Sequence, residues 1–196
     1  MDVFFTSDLH LGHENALRFD NRCFANVDEM NAELVKRWNA KVKPGDIVYV
    51  LGDMIWKMQD DQVHKLLNKL NGQIILIKGN HDRFIKNAKT KKMLAGIKDM
   101  DDISVELKDG TIRRVVLCHY FMPFYVGARY NGVHLYGHFH NSQEHKDAIE
   151  IINLLKNKGY HIEAFNVGCM HWNYEPVTLD EILENADKFV TDEENS

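Results

Sequence analysis

The stretch Val3 to His10, VFFTSDLH, decides how this chain folds. Its first four residues are a short, mostly apolar run, which predicts a buried β-strand. The run stops at Ser7, and polar side chains follow. A carboxylate and an imidazole, those of Asp8 and His10, therefore come directly after the end of the first predicted strand.

The same arrangement recurs twice along the chain. Residues 47–51 (IVYVL) form a second predicted strand, which ends at Gly52-Asp53. Residues 74–77 (IILI) form a third, which leads into the Gly-Asn-His-Asp sequence of residues 79–82. Helical patterns separate these strands, so the order is β-α-β-α-β. Open α/β sheets hold their sites beyond the carboxyl ends of such strands, and the polar residues are expected to share one crevice.

The rest of the chain predicts further helices and strands. Residues 9–27 lack a clear period and are predicted to form a long loop over the site. Asp28 and Asp60 are predicted to cap the helices that follow them, and Thr178 to open a last helix. Further strands are predicted at 103–107, 111–117, 133–136 and 162–167, and a helix, interpreted as an insertion, at 146–158.

Five short motifs carry side chains suited to binding metal ions. They are Asp8-Leu9-His10, Gly52-Asp53, Gly79-Asn80-His81-Asp82, Cys118-His119 and Gly137-His138-Phe139-His140. Mixed nitrogen and oxygen ligands suit Mn, Fe, Co, Ni and Zn ions. Asp-x-His or Gly-Asp alone is common in exposed turns, and Gly-His-x-His is less common, whereas the whole ordered set is much harder to produce by chance. The set therefore predicts a metal site.

This motif order resembles the calcineurin-like metallophosphoesterase superfamily, from Val3 to about Ile182. A closer resemblance to small, single-domain bacterial and phage members is carried by His10–Asn15, Arg18-Phe19, Asn21-Arg22, Asp28–Asn31, Trp38-Asn39, Pro44–Tyr49 and Trp172–Val177. The resemblance implies an α/β fold, in which two mixed β-sheets pack together between flanking helices. It places the metal ions at one edge of this sandwich.

The resemblance also implies a ligand set for two divalent metal ions, Mn first, with Fe, Zn, Ni or Co as alternatives. One ion would be held by Asp8, His10, Asp53 and His140, and the other by Asp53, Asn80, His119 and His138. Water activated by the two ions would attack phosphorus. Asp53 and Asn80 belong to the catalytic set, and His81 would protonate the leaving group. Trp56 stands where many members have a second acid, which leaves open what orients His81.

Other polar residues allow more than one interpretation. His13, Arg18, Arg22 and Arg83 are candidate substrate contacts, with surface or loop-bracing roles as the alternative. Asp82 is predicted to cap the short helix that follows it. Three histidines, at positions 64, 145 and 161, are expected to be solvated, and His134 to be packed.

Length and composition limit the class of protein. The chain has 196 residues, 44% of them hydrophobic, which predicts one domain over 1–190 and a polar tail over 191–196. A net charge of −5 argues against a broad nucleic-acid-binding face. Three separated cysteines favour a reduced, cytoplasmic setting. No apolar run approaches the roughly 20 residues that span a bilayer, so no membrane partner is expected.

The expected function is hydrolysis of a small phosphodiester or phosphomonoester at a dinuclear metal centre. A nuclease is the first alternative, although the acidic balance makes long nucleic acid an unfavourable partner. A catalytically silent metal-binding scaffold and a purely structural metal site are the others. The oligomeric state stays open.

Overall fold

Five strands form the first sheet of the computed structural model, which describes residues 1–186. They are β1 (Val3–Thr6), β2 (Ile47–Val50), β3 (Gln73–Ile77), β4 (Gly96–Lys98) and β9 (Val177–Thr178). Their order is β4-β3-β2-β1-β9. The first four are parallel and β9 runs antiparallel to β1, so the sheet is mixed.

Four strands form the second sheet, in the order of the chain. They are β5 (Met100–Glu106), β6 (Ile112–Cys118), β7 (Val133–Tyr136) and β8 (Ala164–Asn166). Strands β5 and β6 form an antiparallel hairpin, whereas β6, β7 and β8 are parallel. The prediction of two mixed sheets is thereby confirmed.

Six helices accompany the sheets within the described part of the chain. They are α1 (Ala16–Phe19), α2 (Val27–Lys41), α3 (Asp60–Leu67), α4 (Ala88–Lys91), α5 (Gln143–Asn157) and α6 (Leu179–Glu184). Thr178 and Glu181 form the predicted capping box of α6. The cap of α2 is Asn26 rather than Asp28, because the Asn26 side chain accepts a hydrogen bond from the backbone N–H of Glu29 at 2.9 Å.

Two other expectations are corrected. The segment over 9–27 is not entirely a loop, since it contains α1. The helix α5 is not an insertion but the connection between β7 and β8. These two strands are parallel neighbours, and parallel neighbours require a crossover of about a dozen residues or more.

Alternate strand residues pack on opposite faces of the first sheet. Phe4 packs in a core with Met30 and Trp38 of α2 on the outer face, and Phe5 packs against Leu117 and other residues of the second sheet. Burying each such side chain stabilises the fold by about 1.5–3 kcal/mol relative to leaving it exposed. Helix α5 packs on the outer face of the second sheet, which completes four layers.

No helix within residues 1–186 is both long enough and apolar enough to cross a membrane. The predicted tail over 191–196, and the end of the predicted domain at 190, lie outside the described residues.

Candidate metal centre

The carboxyl ends of strands from both sheets meet at one edge of the sandwich. Asp8 follows β1 and Asp53 follows β2, and the backbone N–H of Asp8 donates to the carbonyl of Gly52 at 3.0 Å. From the second sheet, His138 follows β7. Its backbone N–H donates to Asp8 Oδ2 at 2.9 Å, which joins the two sheets at this point.

Unusual backbone conformations are concentrated in the predicted ligands. Nine non-glycine residues in the described part of the chain have positive φ. Five of them are predicted ligands: Asp8 (55°), His10 (48°), Asp53 (53°), His138 (73°) and His140 (51°). Each such residue costs of the order of 1–3 kcal/mol, and such strain clusters at functional sites. The fold therefore holds these side chains at an energetic cost.

Two motif glycines permit the loops to approach closely. A Cβ atom on Gly137 would lie 2.0 Å from Ser7 Oγ and 2.5 Å from Asp8 Oδ2. Gly52 has a φ of +91°, and a Cβ atom there would lie 2.4 Å from His119 Nδ1. A larger residue at either position would push a predicted ligand out of place.

A first group of ligand atoms comes from Asp8, His10 and His140. The Nε2 atoms of His10 and His140 are 3.1 Å apart, and Asp8 Oδ1 is 4.0 Å from the former and 3.7 Å from the latter. Asp8 Oδ1 is buried and has no hydrogen-bond partner among the described residues. A buried carboxylate oxygen without a donor, facing two imidazole nitrogens, fits a divalent cation.

The protonation of His10 agrees with a ligand role. Burial holds the pKa of His10 far below its usual range, and the charges of His140 and Arg22 lower it further. The ring is therefore neutral near pH 7, and a neutral imidazole offers a lone pair to a metal ion.

A second group of ligand atoms comes from Asp8, Asp53 and His119. His119 Nδ1 donates to the carbonyl of Leu51 at 2.7 Å, which leaves Nε2 free to act as a ligand. That Nε2 lies 3.1 Å from Asn80 Oδ1 and 3.8 Å from Asp53 Oδ2. Asp53 Oδ2 is also 3.8 Å from His10 Nε2, so this carboxylate lies between the two groups as a bridge requires.

His138 lies beside the second group but is not part of either set of converging atoms. Its ring centre is 5.0 Å from that of His119 and 4.7 Å from that of Tyr120. The structure therefore places five of the seven predicted ligands within the two groups, with Asn80 in contact with His119 and His138 next to it. The ligand role of all seven stays a prediction.

Asp20 supports the first group and was missed by the sequence analysis. Both of its carboxylate oxygens accept from His140 Nδ1, at 3.0 and 3.1 Å, so His140 Nε2 faces the cluster. Burial acts to raise the pKa of Asp20, but the hydrogen bond from His140 and the charge of Arg22 lower it below its usual value. Such carboxylate–histidine pairs orient metal ligands. Asp20 is the only aspartate of residues 9–27, but nothing in this stretch predicts the direction of its side chain.

Arg22 is buried in a loop-bracing position, which is the alternative that the sequence left open beside a substrate contact. Its side chain is fully buried and forms a salt bridge with Asp20 at 2.7 Å. It also donates to the backbone carbonyls of Asp8 and Leu9, both at 2.8 Å. The guanidinium thus joins the segment that carries Asp8 to the residue that orients His140.

Asp82 supports the second group, and its predicted capping role is wrong. Its side chain makes no cap hydrogen bond to the helical turn that follows. Instead it accepts from the backbone N–H groups of Asp53 (2.9 Å), Met54 (2.9 Å) and Gly79 (2.7 Å). Burial raises its pKa to about 6. This carboxylate therefore ties together the loops after β2 and β3.

His81 is positioned by its backbone and by an aromatic neighbour. Its backbone N–H donates to Asp53 Oδ1 at 2.8 Å. The centres of the His81 and Trp56 rings are 4.6 Å apart, at an interplanar angle of 62°. The ring of His13 stacks on that of Trp56, with 3.9 Å between the ring centres. An aromatic contact thus stands where the resemblance led to the expectation of an acid. His13 is buried in this stack, whereas Arg18 and Arg83 are exposed.

The remaining histidines divide between core and surface. His145 is buried rather than solvated, and its ring stacks on that of His171 at 4.3 Å. His171 Nε2 lies 3.0 Å from the backbone carbonyl oxygen of His140, so the His145–His171 pair supports the backbone of this predicted ligand. His134 is fully buried, as predicted. His64 is partly buried and contacts Thr90, whereas His161 is exposed as predicted.

The fold and the clustered ligands define a metallophosphoesterase. A family model for calcineurin-like phosphoesterases matches residues 1–192, and this chain belongs to that family in its small, single-domain form. It is 34% identical over 187 residues to the uncharacterized protein MJ1445 of Methanocaldococcus jannaschii, a match that covers 95% of this chain and 92% of that protein.

Phage proteins and a solved structure are also similar. The Gene 66 protein of Mycobacterium phage L5 is 37% identical over 83 residues, which are 41% of this chain and 40% of that protein. The crystal structure of a protein of unknown function, AQ665 from Aquifex aeolicus, superposes with a TM-score of 0.65 at 24% identity. That match covers 93% of this chain and 97% of the other, and shows the fold alone.

Proposed function

We propose that this protein hydrolyses a small phosphodiester or phosphomonoester at a centre of two divalent metal ions. The supporting observation is the buried Asp8 Oδ1, which has no hydrogen-bond donor within the described residues and faces the Nε2 atoms of His10 and His140. Structural stability alone gives no reason to bury these groups together, because a buried unpaired polar atom destabilises the fold.

Two sets of residues would hold the ions. Asp8, His10 and His140 form one set, and Asn80, His119 and His138 form the other, with Asp53 shared between them. When bound, the ions, of which Mn is the first candidate, would neutralise phosphoryl oxygens and lower the pKa of a water molecule. The backbone N–H of His81, which donates to Asp53 Oδ1, and the Asp20–His140 contact hold these ligands in place before any ion binds.

His81 would donate a proton to the leaving oxygen. Histidine is the commonest residue in this role. The hydrogen bond from its backbone to Asp53 Oδ1 fixes its distance from the shared ligand, and the contact with Trp56 limits the rotation of its ring. A silent scaffold is a weaker proposal, because every predicted ligand position carries a competent side chain.

The setting that we propose is the cytoplasm, where the thiols of Cys23, Cys118 and Cys169 would stay reduced. All three are free cysteines in the structure.

The test combines metal analysis with a substrate panel. The protein is loaded with Mn and assayed on bis(4-nitrophenyl) phosphate, 4-nitrophenyl phosphate and duplex DNA, with Asp53→Asn as the inactive control. We expect two ions per chain and a higher specificity constant on a small ester than on duplex DNA. One ion or none would overturn the dinuclear proposal, and two ions without turnover on any substrate would favour the scaffold.

A further inference from the structure

The charge of this chain is unevenly distributed. Residues 57–98 contain ten lysine and arginine residues against three aspartates, although the whole chain has a net charge of −5. The rest of the chain is therefore strongly acidic, and the net charge of the whole chain does not reveal this basic segment. A local basic surface attracts anions even on an acidic protein.

Part of this segment lines a groove of about 400 Å³. Lys57, Arg83 and Lys86 contribute three exposed cations to its walls. Within residues 1–186, none of the three forms a salt bridge. The groove also contains Asp60, whose carboxylate accepts a hydrogen bond from the side chain of Asn87 at 2.5 Å. The net charge of the lining is therefore positive, and its cations are available to a ligand.

The groove adjoins His81. The backbone N–H of Arg83 donates to the carbonyl of His81 at 2.6 Å. Lys57 Nζ lies 5.2 Å from the centre of the Trp56 ring, which in turn packs against the His81 ring. If His81 protonates the leaving group, as proposed above, the groove lies on the side from which that group departs. Lys89, Lys91 and Lys92, in and just after α4, extend the exposed basic surface beyond it.

A second cavity next to the predicted ligands has different chemistry. A cavity of about 240 Å³ beside His138 and His140 is lined by Phe19, Phe139 and Glu144. Phe19 is 47% exposed there, which leaves its ring available for stacking. Aromatic rings suit a nucleobase, whereas the carboxylate of Glu144 would repel a further phosphate. The substrate is thus expected to carry an anionic group that fits the basic groove and a flat, uncharged group that fits this cavity.

We propose that the basic groove binds a second phosphate on the leaving-group side of the scissile phosphate, and that the substrate is a short single-stranded oligonucleotide. This inference rests on the proposed phosphoesterase function for its orientation. A single strand offers both features in alternation, because bases and phosphates follow one another along the chain. An inorganic polyphosphate would place an anion against Glu144, and a duplex keeps its bases paired and stacked, so that they cannot stack on Phe19.

The first test measures binding without turnover. Fluorescein-labelled pentathymidylate is titrated with the metal-free protein at several salt concentrations, and its anisotropy is followed. We expect the Arg83→Gln/Lys86→Gln double variant to bind at least about tenfold more weakly, and the salt dependence to fall by about 0.7 per lost phosphate contact. Lys158→Gln, which removes an exposed lysine outside the basic segment, is the matched control and should bind as the wild type does.

The outcomes separate this inference from the proposed function. Absence of binding by the wild type, or equal binding by all three proteins, would overturn the groove assignment. Competition by tripolyphosphate as strong as that by unlabelled pentathymidylate would assign the groove to polyphosphate instead. Hydrolysis of bis(4-nitrophenyl) phosphate by the Mn-loaded wild type reports on the proposed function independently of the groove.

A second measurement tests the orientation. The specificity constants of the Mn-loaded wild type are compared for the dinucleotide TpT with and without an additional terminal phosphate at its 3′ or 5′ end. We expect one terminal phosphate to raise the wild-type value several-fold and the double variant to lose that increase. An increase retained by the double variant would contradict the proposal.

Discussion

The two halves of the candidate metal centre are held by different means. In the first half, His140 is oriented by the buried carboxylate of Asp20, which is itself fixed by the buried Arg22. In the second half, His119 is oriented by a backbone carbonyl, Asn80 is exposed and His138 is partly buried. The first half therefore has a charged supporting network, and the second has an open side.

This difference suggests that the first half mainly binds metal and that the second half also admits the substrate. A ligand set fixed by charged hydrogen bonds is preorganised, and supporting groups of this kind commonly change metal affinity by about 10–100-fold. An open ligand set leaves room for a substrate phosphate. His81 and the basic groove both lie near the open half, since His81 follows Asn80 directly and Arg83 lies two residues further on. Substitutions in the two halves test this comparison, and Asp53, which both halves share, is the first of them.

Asp53→Asn should have the largest effect because Asp53 lies between the two groups of ligand atoms. A lost Lewis-acid contribution of several kcal/mol corresponds to a fall in turnover of about a thousandfold or more. The measurement is the specificity constant on bis(4-nitrophenyl) phosphate, together with the number of Mn ions per chain. Near wild-type activity would remove Asp53 from its bridging role.

The same substitution should leave the metal-free fold intact. Burial raises the pKa of Asp53 above its usual value, so its charged form opposes folding at pH 7. Asparagine removes this charge and keeps an oxygen that accepts from the backbone of His81. Urea unfolding of the metal-free variant should therefore show a free energy of unfolding no lower than that of the wild type.

His81→Ala is expected to lower the rate without removing metal ions. General acid catalysis contributes typically about 10²–10⁴-fold, so a loss of this size is expected for an alkyl leaving group. The loss should be much smaller for 4-nitrophenolate, which leaves without a proton. A series of phosphodiesters with leaving groups of different acidity measures this, and an equal loss across the series would exclude His81 as the proton donor.

Arg22→Met should weaken the first half by destabilising the fold. It leaves Asp20 buried without its cation, and breaking a buried ion pair costs about 3–5 kcal/mol. Urea unfolding of the metal-free protein measures the loss. Arg18→Met is the matched control in the same loop, because Arg18 is exposed and should change stability by less than about 0.5 kcal/mol. Similar effects of the two substitutions would mean that the Arg22 network does not brace this half.

Arg22 also shows where sequence-based reasoning stops. Asp8, Asp53 and His119 could be predicted to converge because apolar runs identified the strands that precede them. The direction of a loop side chain has no such signal, so a substrate contact, a surface position and a loop-bracing role all stayed open for Arg22, which points inward. Asp82 was assigned to a cap because its position before a short helix suggested one, yet it accepts from three backbone groups of neighbouring loops.

Short elements and local charge were missed for related reasons. Strands β4 and β9 have three and two residues, which is too few to show a period. The net charge of −5 was interpreted as a property of the whole surface, whereas the basic residues of 57–98 are concentrated beside the site. Helix α5 was interpreted as an insertion because the resemblance implies a simpler connection there, and the pairing of β7 with β8 cannot be deduced from either strand alone.

Asp20→Asn should have the smallest and most selective effect on the metal centre, and it should also destabilise the fold as Arg22→Met does, because it leaves Arg22 buried without its ion pair. Asparagine is nearly isosteric and still offers an oxygen to His140 Nδ1, but it removes the negative charge that strengthens this ligand. We expect Mn affinity at the first half to fall by about 10–100-fold while the second half is unchanged. Calorimetric titration of the metal-free protein with Mn measures the two affinities, and Glu14→Gln, an exposed acid of the same loop, is the control.

The dependence of this effect on pH gives a sharper criterion. Burial acts to lower the pKa of His140, but the hydrogen bond to Asp20 and the charge of Asp8 raise it above its usual value. Protons therefore compete with the ion, and the first half should lose affinity as the pH falls through that raised pKa. Without the charge of Asp20 the pKa of His140 falls, so the variant should bind more weakly than the wild type at high pH and lose affinity only at a lower pH. Equal weakening of both halves, or an unshifted pH dependence, would show that Asp20 does not act through His140.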